Sequence, residues 1–301
     1  MKLSDEWVDA RVEVDGAHGG IGSFMNIKES NPRTSDRTFS YRKRNSNARK
    51  DLRVLLSIGG GNTSHIFPLV ASSTVLRDNF ARSAAGLVQA SGLDGLDIMW
   101  EFPADPQQGL DFLSLLAAIR IHLSDEQYIL TAALPANIPD CLSNVDLRRV
   151  SDYIDFLNLM CYDFAGPWSH RCGHHAQLYA MSKEEHSAAG AVQYVMSRDF
   201  PPCKILLGIP GYGRSFLHAS GPAQKFRGVG GNEGTFEYHQ LPRRHAKESV
   251  DKRAVAAVCV GGDGGWVSYD NVETVRVKAG YVKQKGLGVS AAVFSLWGAL
   301  T

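Results

Sequence analysis

Apolar positions along the chain fall into two patterns. Residues 54–58, 93–100, 128–134 and 156–162 are short, nearly unbroken apolar runs, as are 205–209 and 289–296. Runs of this kind suit strands buried on both faces, as in a parallel sheet flanked by helices. Between them, apolar residues recur at helical spacing. Leu76, Phe80, Ala84 and Leu87 follow the N-cap cluster Ser72–Thr74, and Gly92 stands where a C′ glycine belongs. Phe112, Leu113, Leu116 and Ile119 repeat the spacing, and Ser182 with Glu185 reads as a capping box ahead of Val192, Val195 and Met196. Strand–helix alternation predicts βαβ units, built as a (β/α)8 barrel or as a doubly wound sheet.

Two stretches break this rhythm. Residues 215–278 are rich in glycine and polar side chains, with alternation at 255–260 and turn signals at 261–265. They read as a small inserted α+β module. Residues 33–53 carry eight basic side chains against Asp36 and Asp51. A nucleic-acid arm could look like this, but only Phe39 and Tyr41 offer stacking surfaces, so a solvated insert is expected and no nucleic-acid partner. Over all 301 residues, 32 Lys+Arg balance 31 Asp+Glu, leaving a net charge of +1 and no global field to select an anionic partner. No apolar run approaches the roughly 18 residues of a membrane span. Residues 1–20 show no signal-peptide pattern. Five widely spaced cysteines imply no disulfide framework and at least one free thiol.

The chemistry concentrates in Leu93-Asp94-Gly95-Leu96-Asp97-Ile98-Met99-Trp100-Glu101-Phe102-Pro103. Side chains alternate across a strand, so Asp97, Met99 and Glu101 share one face and Leu96, Ile98 and Trp100 the other. In a barrel the second set packs on helices and the first points inward. Glu101 then falls at the C-terminal end of its strand, the rim where barrel enzymes assemble catalytic groups. Acids on the inward face of an apolar strand are costly unless paired or functional.

The run Asp94 to Glu101 resembles the D-x-x-D-x-D-x-E signature of glycoside hydrolase family 18, the chitinases. Four further motifs follow the family's order. Ser57-Ile58-Gly59-Gly60 is similar to S-x-G-G, and Met160-Cys161-Tyr162-Asp163-Phe164, followed by Gly166 and Trp168, to M-x-Y-D. Pro210-Gly211-Tyr212-Gly213-Arg214 resembles P-x-Y-G-R, and Ser268-Tyr269-Asp270-Asn271 a piece of the family's inserted module. The resemblance runs from about residue 54 to about 290; Pro106-Gln107-Gln108-Gly109 and the segment 173–179 look most like the fungal-type branch.

The resemblance implies an α/β fold of the (β/α)8 TIM-barrel type. Residues 1–53 form an irregular N-terminal segment with the basic insert, 54–214 carry barrel strands three to seven, 215–280 the insertion module and 281–301 the last strand. The first two strands are expected to be missing. It also implies retaining hydrolysis of β-1,4-linked N-acetylglucosamine assisted by the substrate's own acetamido group, with no metal or organic cofactor. Glu101, Asp97 and Tyr162 would be catalytic, Glu101 as the general acid and Tyr162 as the hydroxyl that orients the acetamide. Asp163, Tyr212 and Arg214 would bind sugar hydroxyls, and Trp168 would offer an aromatic face. Gly60, Gly61, Phe102 and Met160 would line the sugar site, and Trp297, or Phe294, would form its floor. The partner is chitin or a chitooligosaccharide, with neither nucleic acid nor membrane involved; the chain is expected as a monomer. The family is commonly secreted, whereas the absence of an export signal would suit the cytoplasm.

One departure bears on activity. The third acid of the signature is replaced by Met99, whose thioether accepts hydrogen bonds weakly and carries no charge. A chitinase much weakened by Met99 is expected, or a non-catalytic chitin-binding protein. Other chemistries fit less well. His170, Cys172, His174 and His175 match no familiar zinc spacing. The Gly59–Gly61 and 228–234 stretches lack a following Gly-Lys-Ser/Thr, and no Gly-x-Ser-x-Gly elbow exists for a serine hydrolase. Cys161, in a buried strand, reads as packing.

Overall fold

The computed structural model describes residues 53–61, 63–262 and 264–288, and the backbone of the strand Trp7–Arg11. Strands β1 (Trp7–Arg11), β2 (Arg53–Gly59), β3 (Gly95–Met99), β4 (Ile129–Pro135), β5 (Phe156–Met160) and β6 (Ile205–Leu207) follow one another in one sheet in chain order. β7 (Tyr212–Phe216), β8 (Thr235–Glu237), β9 (Lys247–Asp251), β10 (Ala256–Val260) and β11 (Trp266–Tyr269) form a second sheet in the order β8-β7-β11-β10-β9. The chain divides into two compact units: 1–134 with 139–157 and 198–200, and 135–138 with 158–197 and 201–301.

In the first unit, β1–β2, β2–β3 and β3–β4 pair in parallel. The apolar runs at 54–58, 93–100 and 128–134 supply β2, β3 and β4, and every residue of β3 is buried. Trp100, on the helix-facing side, stacks on Phe67 at 5.4 Å and meets Phe112 edge-on at 6.0 Å. The helix Thr74–Ser91 starts at Ser73, whose hydroxyl accepts the Leu76 N–H, and stops at Gly92, where φ is 61°. The helix Pro106–His122 is capped by Asp105, which accepts the Gln108 N–H at 2.8 Å.

In the second unit, the module sheet is antiparallel throughout. Gly261–Gly265 turns β10 into β11, as the turn signals predict. Phe216, Trp266 and Val258 form one apolar cluster, and Phe236, Cys259, Val267 and Tyr269 another.

Three expectations need correction. Residues 1–53 are not irregular throughout: β1 pairs with β2, Val8 opposite Val54 and Ala10 opposite Leu56. Its sequence, Trp-Val-Asp-Ala-Arg, interleaves charged and apolar residues, so a search for unbroken apolar runs passes over it. One strand therefore precedes β2 where the sequence pattern gives none. The capping box at Ser182 and Glu185 does not form. Glu185 accepts the Met181 N–H at 2.8 Å, the helix begins at Ala188, and Ser187 Oγ accepts the Gly190 N–H at 3.2 Å. Finally, residues 281–285 end the helix Val272–Lys285, so they are not part of a last strand. The buried stripe of that helix is Thr274, Lys278, Tyr281 and Val282, and its two polar members hide the helical period. The proposed last strand at 289–296 lies outside the described residues.

Candidate active site

In the first unit the site grows from the register of β2, β3 and β4. Ser57 stands opposite Asp97, and Asp97 opposite Thr131. Both neighbours point hydroxyls at the acid: Ser57 Oγ donates to Asp97 Oδ2 at 2.7 Å and Thr131 Oγ1 to Oδ1 at 2.5 Å. All three are buried. Two directed hydroxyls let a carboxylate persist inside an apolar sheet. Met99, 5% exposed, follows on the same face, with Gly60 alongside; a Cβ on Gly60 would lie 3.9 Å from the Met99 sulfur.

β3 ends against the turn that follows β2. Met99 O accepts the Gly60 N–H at 2.8 Å and the Ser64 hydroxyl at 3.2 Å, and Ser64 Oγ accepts the Glu101 N–H at 2.8 Å. Gly59 has φ 120°, and a Cβ there would sit 2.0 Å from Met99 O, so only glycine allows this approach. Glu101 is partly exposed beside this turn, its Oε2 3.7 Å from where a Gly61 Cβ would stand, and its peptide bond to Phe102 is cis. Gly60, Gly61, Asp97, Met99 and Glu101 are thus gathered at the C-terminal end of β3.

In the second unit a cluster forms around Asp163, three residues past β5, in the left-handed region at φ 61°. Its Oδ1 accepts Arg214 Nε at 2.7 Å; its Oδ2 accepts Arg214 Nη2 at 2.9 Å and the Tyr212 hydroxyl at 2.7 Å. Such a bidentate fork is among the stronger polar contacts available. Burial raises the Asp163 carboxyl, but His175 and Arg214 outweigh it and hold the group well below the usual carboxylate range. Burial and the Asp163 charge push the Tyr212 phenol well up. The Arg214 guanidinium also lies 4.9 Å from the centroid of the exposed Trp168 ring. Tyr162 packs edge-on to Tyr212 at 6.2 Å. A Cβ on Gly208 would lie 2.8 Å from Leu159 O and 3.0 Å from Tyr162 Cε1, so the ring occupies space that any side chain there would need. Met160, at the end of β5, is buried.

The sequence-predicted residues therefore fall into two groups: Asp97, Glu101, Gly60, Gly61 and Phe102 in the first unit, Met160, Tyr162, Asp163, Trp168, Tyr212 and Arg214 in the second. Trp297 and Phe294 lie outside the described residues. Tyr212 is buried and commits its hydroxyl to Asp163, so it supports that carboxylate. The sequence reading misses Thr131 and Ser64, meets His175 only as a metal-ligand candidate and meets Ser57 only inside its motif. Hydroxyls in the middle of apolar strand runs, at Ser57 and Thr131, are the signal that could have exposed the row behind Asp97. His174 leans on Trp266 at 5.3 Å and faces Ser268 and Asp251, while His175 faces Asp163. Among the described residues no group of three His, Cys, Asp or Glu side chains could hold a metal ion. The Cys161 thiol, buried, is pushed up to about 12 and is unsuited to nucleophilic attack.

An acid at the C-terminal end of a parallel strand stands where barrel enzymes assemble their catalytic groups. The chain belongs to glycosyl hydrolases family 18, whose model matches residues 17–297. It is 35% identical to Chitinase 1 of Aphanocladium album over 257 residues, 79% of this chain and 60% of that protein. It is 34% identical to Endochitinase 1 of Metarhizium robertsii over 259 residues, 81% of this chain and 61% of that one. The chain thus spans about three fifths of the length of these curated relatives. Among solved structures, the GH18 chitinase from Cycas revoluta in complex with (GlcNAc)3 matches with a TM-score of 0.80 at 26% identity, covering 87% of this chain and 82% of that one. The fold is accordingly α/β, of the TIM-barrel type.

Proposed function

We propose that this chain cleaves β-1,4-N-acetylglucosamine linkages in chitin or chitooligosaccharides, by a retaining, substrate-assisted route that Met99 slows severely. The observation that carries the reading is the placement of Glu101 at the end of β3, beside Gly61 and beyond the Ser57–Asp97–Thr131 row. The names of the fungal relatives and the trisaccharide complex of the cycad enzyme support the same substrate class.

Glycosidic oxygen is a poor leaving group, so Glu101 in its neutral form gives it a proton as the C1–O bond breaks. The substrate's acetamido oxygen attacks C1 from the opposite face, giving an oxazolinium ion. Water then adds to C1, Glu101 takes its proton, and the ring reopens to the acetamide with configuration retained. Tyr162 orients the acetamide oxygen, and Arg214, held in place by Asp163 with Tyr212 in support, binds sugar hydroxyls beside the Trp168 face. An acid at position 99 would accept the acetamide N–H and oppose the developing positive charge. Met99 does neither, and losing one preorganised electrostatic group costs about 10²–10³ in rate. No cofactor enters, since the substrate supplies the nucleophile. Action outside the cell as a monomer fits a polymer substrate that is itself external.

A second reading, a chitin-binding protein without turnover, is favoured by the same methionine: sugar stacking on Trp168 does not need an acid at position 99. Incubation with a chitopentaose, product detection by mass spectrometry and calorimetric binding separate the two. Slow turnover that disappears in Glu101→Gln supports hydrolysis. Binding with no product supports the second reading, and absence of both overturns each.

A further inference from the structure

We propose that His175 is a positioning residue: its ring presents an Nδ1–H to Asp163 Oδ1 and fixes the carboxylate on which Arg214 and Tyr212 depend. The proposal rests on the reading of that cluster as a sugar-binding one.

His175 is fully buried, with Nδ1 3.5 Å from Asp163 Oδ1 and its ring centroid 5.4 Å from that of Tyr212. Neither ring nitrogen has a hydrogen-bond partner within ordinary reach among the described residues. A buried orphan N–H costs more than a buried orphan lone pair, so the ring gains by turning its proton toward the Asp163 carboxylate 3.5 Å away. Asp163 has room for it. A carboxylate offers about four acceptor positions; Arg214 Nε, Arg214 Nη2 and the Tyr212 hydroxyl occupy three, and the remaining position on Oδ1 faces His175. The main chain holds the pair in register. His175 O accepts the Phe164 N–H at 3.0 Å, directly after Asp163, and the His175 N–H reaches Ser268 Oγ at 3.4 Å. Asp163 keeps a left-handed φ of 61°, a conformation that persists only where the surroundings over-determine it. Among the described residues, the charged and titratable groups around the ring include Asp163, Arg214, Tyr212, His174 and Asp270; burial outweighs the acids and favours the neutral imidazole.

Chemistry dictates the variants. Asparagine places its amide N–H near the position of Nδ1, whereas leucine fills the space without a donor. Calorimetry with chitopentaose should show His175→Asn within about threefold of the parent Kd and His175→Leu weaker by about tenfold, the worth of one hydrogen bond to a charged group. The reverse order, leucine tolerated and asparagine weak, would mean that the ring acts by packing alone and overturns the proposal. Long-range ¹⁵N NMR of the parent protein supplies a ligand-independent measurement even if a variant does not fold. An Nδ1-protonated neutral ring is expected, and an Nε2-protonated ring overturns the assignment. Failure of the parent protein to bind chitopentaose would instead overturn the sugar-binding reading, whatever the tautomer.

Discussion

Met99→Asp is the substitution that weighs most on the proposed chemistry. Aspartate is shorter and smaller than methionine, so the change leaves space between β3 and Gly60 that the buried Met99 fills. It does put a second carboxyl on the face that carries Asp97, two residues along one strand, a separation of roughly 6.5 Å. At an effective dielectric of about 20, two unit charges at that distance repel by about 2.5 kcal/mol. Ser57 and Thr131 commit their hydroxyls to Asp97. Folding stability should fall by about 1–2 kcal/mol, relaxation around the new carboxyl relieving part of the repulsion. Catalysis should move the other way: a group that accepts the acetamide N–H returns up to about 10²–10³ in rate, and at least a tenfold gain is expected. The assay is initial-rate release of shorter oligomers from chitopentaose, with urea melts in parallel. A variant that is folded, less stable and no faster would refute the assignment of position 99 to the acetamide.

Glu101→Gln should lower turnover by at least about a hundredfold while leaving the chitopentaose Kd within a few-fold, measured by initial rates and calorimetry. Asp97→Ala strands two buried hydroxyls and should cost about 2–4 kcal/mol in urea denaturation. Lys278→Met removes the buried ion-pair partner of Asp270, 2.5 Å away, and a loss of about 3–5 kcal/mol is expected in urea denaturation. Stability should also decline on acidification: burial holds His174 and His175 below the ordinary histidine value of about 6.5, so the unfolded chain binds more protons as pH falls through that value. Melting temperatures between pH 8 and pH 5 should drop for the parent and drop less for His175→Leu.

Much of the central sheet is legible in the sequence because β2 through β6 are buried on both faces and therefore nearly unbroken in apolar character. β1 is not, since alternation with Asp9 and Arg11 imitates an exposed edge. The helix Val272–Lys285 is obscured for a related reason: its inward stripe includes Thr274 and Lys278, which are acceptable inside because Asp270 receives both and the Ala176 carbonyl takes a further bond from Lys278. Motif spacing places Glu101 and Asp163 without any coordinates. Their supports are harder to read, because Thr131 comes from a neighbouring strand and His175 lies twelve residues past Asp163 in a segment that looks like an ordinary polar loop.

β7 has a double allegiance. Tyr212 and Arg214, at its start, hold Asp163, while Phe216, two residues on, belongs to the module's apolar cluster and Arg214 itself pairs with Ser268 of β11. A protein engineer wishing to exchange this module for that of a relative has no neutral splice point between residues 212 and 216. Any chimera must carry the carboxylate's anchors along with the graft, so transplanting the module also transplants the geometry around Asp163.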